Sequence, residues 1–386
     1  GTHARGTASS FITTGTGGDI TVAAEASTRI DAAILAAALA AGVSGSNGVG
    51  VGIGAAVAEN RIGNWSQSGS GKDTSFALAD NGGTAVEAIL SGSSVKAAGA
   101  LIVAANSSQA ITAKIAAASA AIGGGGSAGV GVAAAGVTVV NAIAVANRAL
   151  IDGDGATGIE AGSIRVSAAD SSTIDAFAGS ASLAGSGGGS AGVSVAVGFT
   201  LALNSIAGGV EAGIANADTL LRTTGAASVK VNDDPLNRET VNGVLVSASR
   251  AGRIYAAAAA AAISIAGGGS AGVGVWGGGA VAANGILGSV KATVAASKVT
   301  TAAGGGLTVS AAASSDVTAI ISAAAASAGG GGAAGVGVAL GASGAENRIG
   351  TWTTRGADEA RTDTFDENGA ASVRASVKAS TLDIAG

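Results

Sequence analysis

The chain has 386 residues, among them 67 glycines, one proline and no cysteine or methionine, with a formal net charge of −5 at pH 7. So small a charge gives no reason to expect a nucleic-acid or anionic-membrane partner, and the absence of cysteine excludes a disulfide framework and a thiolate metal site. Hydrophobic residues make up 48%, aromatics 2% and charged residues 12%, about half the charged share of ordinary domains, so the mean hydropathy of +0.51 excludes an unfolded polar chain, and the single Pro235 excludes a collagen or polyproline pattern.

The apolar content is mostly Ala and Val, so no core of Leu and Phe is expected. With Gly at the first position and no Met anywhere, the chain reads as an internal segment of something longer.

The first predicted strand, "ITVAA" around Val22, returns as "LIVAA", "IRVSAA", "VLVSAS" and "LTVSAA" around Val103, Val166, Val246 and Val309, at spacings of 81, 63, 80 and 63 residues. The glycine before each "VGV" or "VSV" keeps the same spacings, at Gly48, Gly129, Gly192, Gly272 and Gly335. Twelve residues beyond each of these lies an asparagine: Asn60, Asn141, Asn204, Asn284 and Asn347. "AENRIGNW" at 58–65 comes back as "AENRIGTW" at 345–352, so two short and two long units make a super-period of 287 residues. Residues 1–22 match 288–309 on that period, which sets Val290 as the counterpart of His3. The approximate units are 1–22 in part, 23–103, 104–166, 167–246, 247–309 and 310–386 in part, one continuous array.

Within a unit, "GVGVGIG" places glycine at every second residue from Gly48 to Gly54, which is the period of a strand and not of a helix. A helix competes only over "YAAAAAAAISIA" from Tyr255, where alanine propensity is high. The Gly-rich strings such as "GGGGSAGVGV" at 123–132 are predicted to turn hairpins and to let sheets of small residues lie close together. Both faces of the strands are apolar or small, so both are expected to be covered. The fold class expected is all-β: an elongated β-solenoid or a stacked β-hairpin array, antiparallel within a unit and parallel between units about 4.8 Å apart. In such a stack the five asparagines form a ladder, each amide bonding the next.

Insertions at 63–83, 220–243 and 350–369 hold much of the charge, and read as surface loops or small excursions. Trp65 and Trp352 recur in two of them beside Arg61 and Arg348, a candidate contact for glycans or a neighbouring filament. "DGDG" at 152–155 and "DENG" at 366–369 resemble pieces of calcium loops through Asp152, Asp154 and Asp366, but neither continues to a full ligand set, and both suit tight turns. No cofactor is expected beyond a possible calcium ion. His3, the only histidine, lacks the marks of a triad or metal site, and no glycine string fits a phosphate loop. Long uncharged stretches such as 177–210 could span a bilayer by length, but lack aromatic belts and flanking Lys/Arg bias, so the chain is not expected to span a membrane.

Units of the form "STIDAFAGSASLAGSGGGSAGVSVAVGFTLALNSI" followed by "VEAGI" resemble the repeat regions of very large bacterial surface proteins, the filamentous-haemagglutinin-like and leukotoxin-type filamentous adhesins. The resemblance implies export from a Gram-negative-type cell, an elongated β-helical stalk at the cell surface or outside it, and roles in adhesion, aggregation or matrix formation. It implies as partners neighbouring repeats and copies of the chain itself, glycans or a host cell surface, and no catalytic residues. The function expected is therefore a structural segment of an exported filament or adhesin, not an enzyme. The alternatives are a β-helical polysaccharide-active enzyme, which would show two carboxylates across a cleft, and, third, an outer-membrane pore.

Overall fold

The computed structural model describes all residues except 16, 64, 69–74, 79–84, 226, 228, 231–239, 351, 356–361, 366–371 and 386, and for 65–68, 75–78, 229–230, 240–241, 352–355 and 362–365 it describes the backbone alone. Among the described residues every element is a strand and none is a helix. The alanine run that competes for a helix lies in the strand Gly243–Gly268. It is hydrogen-bonded along its length to strands on both sides, and that pairing outweighs the intrinsic preference of alanine.

The strands form four large parallel sheets, visited in the same order on each pass of the chain. The long sheet contains Ile20–Ser44, Ala100–Gly125, the pair Ser163–Asp170 and Thr173–Gly188, Gly243–Gly268 and Gly306–Gly331. The return sheet follows, with Asn47–Gly63, Ala128–Ala144, Ala191–Ala207, Ala271–Ile286 and Ala334–Ile349. Six shorter strands make the third sheet, among them Thr2–Thr7, Ala85–Ser91, Ala146–Asp152 and Val210–Ala215, and six more, among them Ser94–Lys96 and Ile159–Ala161, make the fourth. Along the long sheet Ile20 faces Leu101, Leu101 faces Ile164, Ile164 faces Val244 and Val244 faces Leu307. Like residues therefore stand over like at the spacings of the sequence marks.

Each pass encloses two cores of different composition. Where the third and fourth sheets meet the first part of the long sheet, columns such as Leu101–Ile164–Val244, Leu90–Ile151–Ile214–Val294 and Val95–Ile159–Leu221–Val299 are almost fully buried. Large aliphatic side chains thus do form a core, contrary to the composition-based expectation, because the few present are stacked in columns. Beyond this body, the distal half of the long sheet and the return sheet lie face to face as a thin wing filled mainly with small residues, chiefly Ala, together with Ile115, Val137, Val139 and Trp276.

The two long strands of a pass belong to different sheets. The Gly-rich string between them is therefore an arch joining two facing sheets, not a hairpin, and the antiparallel pairing expected within a unit is absent from the large sheets. Its backbone bonds to the arch of the next pass instead, as in Ser127 N–H to Ser46 O at 2.7 Å and Ser190 N–H to Ser127 O at 2.8 Å. Glycine is required there by proximity: a Cβ at Gly126 would lie 2.2 Å from the Gly45 carbonyl oxygen. Antiparallel pairing occurs only in the insertions, among the described residues, where Trp65–Ser68 pairs Ser75–Leu78, Val229–Lys230 pairs Thr240–Val241 and Trp352–Arg355 pairs Thr362–Phe365. These are the small excursions expected of them.

One register expectation is corrected. His3 stands over Glu87, Arg148, Glu211 and Lys291, so its counterpart is Lys291 and Val290 belongs with Thr2. The connection between Ile12 and Ile20 holds one residue more than that between Thr300 and Leu307, its counterparts in register.

Candidate functional site

The five asparagines are brought together. They occupy one inward position of the return sheet, and Asn60 Nδ2 donates to Asn141 Oδ1 at 2.8 Å, Asn141 to Asn204 at 2.7 Å, Asn204 to Asn284 at 2.8 Å and Asn284 to Asn347 at 2.8 Å. All but Asn347 are buried. Replacing Asn204 by Leu removes one acceptor and one donor from this chain of amides. The expected loss is about 1–3 kcal/mol, read as a lowered urea midpoint. An unchanged midpoint would show that the ladder carries no net stability.

Two charged clusters stand on the other sheets, and of their members the sequence pointed only to His3. On the third sheet the half-exposed His3 Nδ1 lies 3.1 Å from Glu87 Oε2, which also pairs with Arg5, while Arg148 bridges Glu87 at 3.8 Å and Glu211 at 3.4 Å. Burial pushes the Glu87 carboxyl up, but the Arg5 and His3 contacts outweigh it and hold the group below its ordinary value. His3 is thereby one of the groups gathered around Glu87. The second cluster lies where the body meets the wing. There Asp170 and Arg250, register partners on successive strands, are both buried, with Arg250 Nε 3.6 Å from Asp170 Oδ2. Ser107 and Ser172 hydroxyls donate to Asp170 Oδ1 at 2.7 and 2.8 Å, and Asn147 Nδ2 donates to the Ser107 hydroxyl at 2.7 Å. The spacing of 80 that relates Val166 to Val246 also relates Asp170 to Arg250, and that arithmetic was the available signal.

Asp152 and Asp154 serve a turn. Asp152 Oδ1 accepts from Asn216 Nδ2 at 2.7 Å, the buried Asp154 accepts from the Leu220 backbone N–H at 2.6 Å, and Gly153 and Gly155 have φ of 82° and 66°, values glycine adopts without strain. Asp366 lies outside the described residues. Among the described residues no three His, Asp or Glu side chains stand together as a metal site. Trp65 and Trp352 each begin the first strand of an inserted hairpin, opposite Leu78 and Phe365.

The largest feature is the surface of the wing. Inward positions of the return sheet are mostly Gly, Ala, Ser and Asn, with Val137, Val139, Thr200 and Trp276 among them, and most of the bigger apolar side chains point outward. Val49, Val130, Val193, Val273 and Val336 form one outward column, and Val51, Val132, Val195, Val275 and Val338 the next but one position along. Val49, Val51, Val193, Val275, Val336 and Val338 are between 37% and 58% exposed. The sequence led us to expect both faces covered, and only the inner one is. The long sheet's outer face carries two shallow grooves. One, of about 770 Å³, has an apolar wall including Leu35, Phe177 and Ile320. The other, of about 810 Å³ and lined by Glu25, Asn106, Ser108 and Ser249 among others, crosses the sheet over the Asp170–Arg250 pair. No helix of the described residues is long and apolar enough to cross a membrane.

Fold and surface together define an all-β protein of parallel sheets. No protein-family model, curated protein or solved structure matches the chain.

Proposed function

We propose that the chain is a stretch of a β-solenoid, a stacked repeat array, and that its task is mechanical: a stiff segment of a large exported filament or adhesin at a bacterial cell surface or in the extracellular matrix. The observation that carries this reading is the register. Five successive passes keep like residues in columns, through the amide ladder and the aliphatic body core, across 287 residues from Ile20 to Leu307. An array of this kind lengthens by adding passes, each buried against the last, without a new core being needed. The largest differences between passes are the insertions, where an adhesive surface can change without disturbing the stack. The chain needs no cofactor for this role, and its partners are neighbouring passes, further copies, and glycans or a cell surface.

The test is a length series. Chains carrying one, three and six copies of residues 20–306 should appear in negative-stain electron micrographs as particles of constant width that lengthen by about 19 Å per copy, four strand spacings. Cells displaying the longest chain should clump more than cells displaying the shortest. Particles that grow in all three dimensions, or clumping that ignores length, would overturn the reading.

A further inference from the structure

The outward face of the return sheet carries almost no polarity. Over the five strands, from the Val49 column to the Val57 column, Thr138 is the one residue with a polar side chain, and the first charged pairs, Glu59–Arg61 and Glu346–Arg348, stand at the base of the wing. A chain that folds its Gly and Ala inward and sets its Val, Ile and Phe toward solvent gains nothing from those side chains until something covers them.

The relief of this face says what that is. Its third outward column alternates in size from strand to strand, and its fourth has a single ridge, Phe199, among the small Ala55, Gly136, Gly279 and Ala342. Ile53 is bulky on the first strand, Ala134 and Gly136 are small on the second, Val197 and Phe199 are bulky on the third, Gly277 and Gly279 are small on the fourth, and Leu340 is bulky on the fifth. Ridges and troughs therefore alternate at roughly 4.8 Å, the spacing of strands. A lipid tail or a featureless apolar surface does not need this relief, but a second copy of the same face fits it. Consider a two-fold axis lying in the interface, parallel to the strands and midway between the third and fourth. It sets Val197 and Phe199 against the partner's small pair at 277 and 279, and sets Leu340 against the small residue at 134. Leu340, Val197 and Phe199 each meet a small residue in their own column, the two valine columns meet each other, Ile53 on the first strand lies outside the overlap, and each contact is made twice, as an isologous interface requires. The four strands that overlap measure roughly 19 Å by 30 Å from strand spacing and rise, on the order of 600 Å² per partner, at the lower end of the ~1,200–2,000 Å² total buried by specific stable interfaces.

We infer that this face is a homotypic contact surface, on which two copies of the chain pack ridge into trough with their wings superposed and their stacking directions opposed. The inference rests on the stacked-array reading, and names the surface by which such arrays associate sideways.

The test fills the troughs. A Cβ at Gly277 would meet nothing within 4 Å and the position has no left-handed φ, and Ala134 stands in the same outward column, so Ala134→Leu and Gly277→Leu leave the monomer's own packing alone while filling the troughs that receive Leu340 and Val197. Sedimentation velocity on the 386-residue chain at micromolar concentration should show a dimer. The double Leu variant should dissociate about tenfold or more readily with an unchanged far-ultraviolet circular dichroism spectrum, and Val195→Lys should be monomeric. Because leucine adds apolar surface, a face that binds lipid or merely sticks would bind as well or better after the change. Undiminished association of the double variant, a parent chain that is monomeric, or cosedimentation of both with phosphatidylcholine vesicles would each overturn the inference. A failed stack would instead show in the length series and the spectrum, so the two failures are separable.

Discussion

Replacing Gly131 with valine should lower stability by at least about 3 kcal/mol, whereas the same change at Gly285 should leave it within about 0.5 kcal/mol. Both glycines lie on return-sheet strands, so valine's preference for extended backbone favours the substitution equally at each. What differs is the direction in which the Cβ points. At Gly131 it enters the wing and would lie 2.2 Å from the carbonyl oxygen of Gly185 on the facing long-sheet strand, 3.0 Å from that residue's carbonyl carbon. The obstacle is backbone, so no rotamer change relieves it and the two sheets must separate. Separation is resisted along the whole wing, because Cβ atoms built at Gly129, Gly192 and Gly272 would also come within 2.2 Å of a facing carbonyl oxygen. At Gly285 a Cβ meets nothing within 4 Å. Urea denaturation of the two variants against the parent is the measurement. Equal midpoints for both would mean that the sheets do not approach as closely as their backbones indicate.

This pair of glycines also marks how far the sequence could be read. Spacing alone locates the columns, since Val22, Gly48 and Asn60 return at common intervals, and the amide ladder follows because an inward asparagine repeated at strand spacing has its own copy as nearest partner. The close approach of small-residue sheets was legible for the same reason. The arch was not. A hairpin and an arch place the same alternation of small and apolar residues on two strands, and they differ only in whether hydrogen bonds run within the pass or between passes, which no residue in "GGGGSAGVGV" reports. The outward face was missed because Gly–Val alternation says that two faces differ without saying which is inside. Volume decides it here: where the two backbones meet within van der Waals contact, as at Gly131 and Gly185, no room is left for valine, and Val137 and Val139 enter only nearer the body. Trp276 is the exception that shows the rule, a tryptophan buried in the wing where Gly278 and Gly341 lie beside its ring. The register of His3 was off by one because a single extra residue in a connection shifts everything before it, and composition is blind to that.

The second large effect is expected at the joint between body and wing. Arg250→Met should cost about 3–5 kcal/mol at pH 7, and the double variant Arg250→Met with Asp170→Leu should cost less than that single change. The guanidinium is 3% exposed and the carboxylate 4%. Burial draws Arg250 below its ordinary pKa, and Asp170 opposes the shift; a guanidinium in a protein keeps its charge, and its removal leaves the buried Asp170 carboxyl with serine hydroxyls and no cation opposite it. The two serine hydroxyls on Asp170 soften that exposure to low dielectric but carry no charge to cancel it. Arg250 also donates through one terminal nitrogen to the Leu287 carbonyl at 3.0 Å and through the other to that of Gly208. Those carbonyls sit where the chain leaves the return sheet, beside Gly208 and Gly288, whose φ of 122° and 116° only glycine accepts readily. The double variant loses these bonds too, at about 1 kcal/mol each, but no longer buries a lone charge. If the pair were there for stability alone, the double variant would be the worse of the two. Should it prove milder, as expected, while protease cleavage between body and wing becomes faster than in the parent, the pair's contribution is to fix the angle of the joint. A single variant as stable as the parent would remove the buried-charge argument altogether.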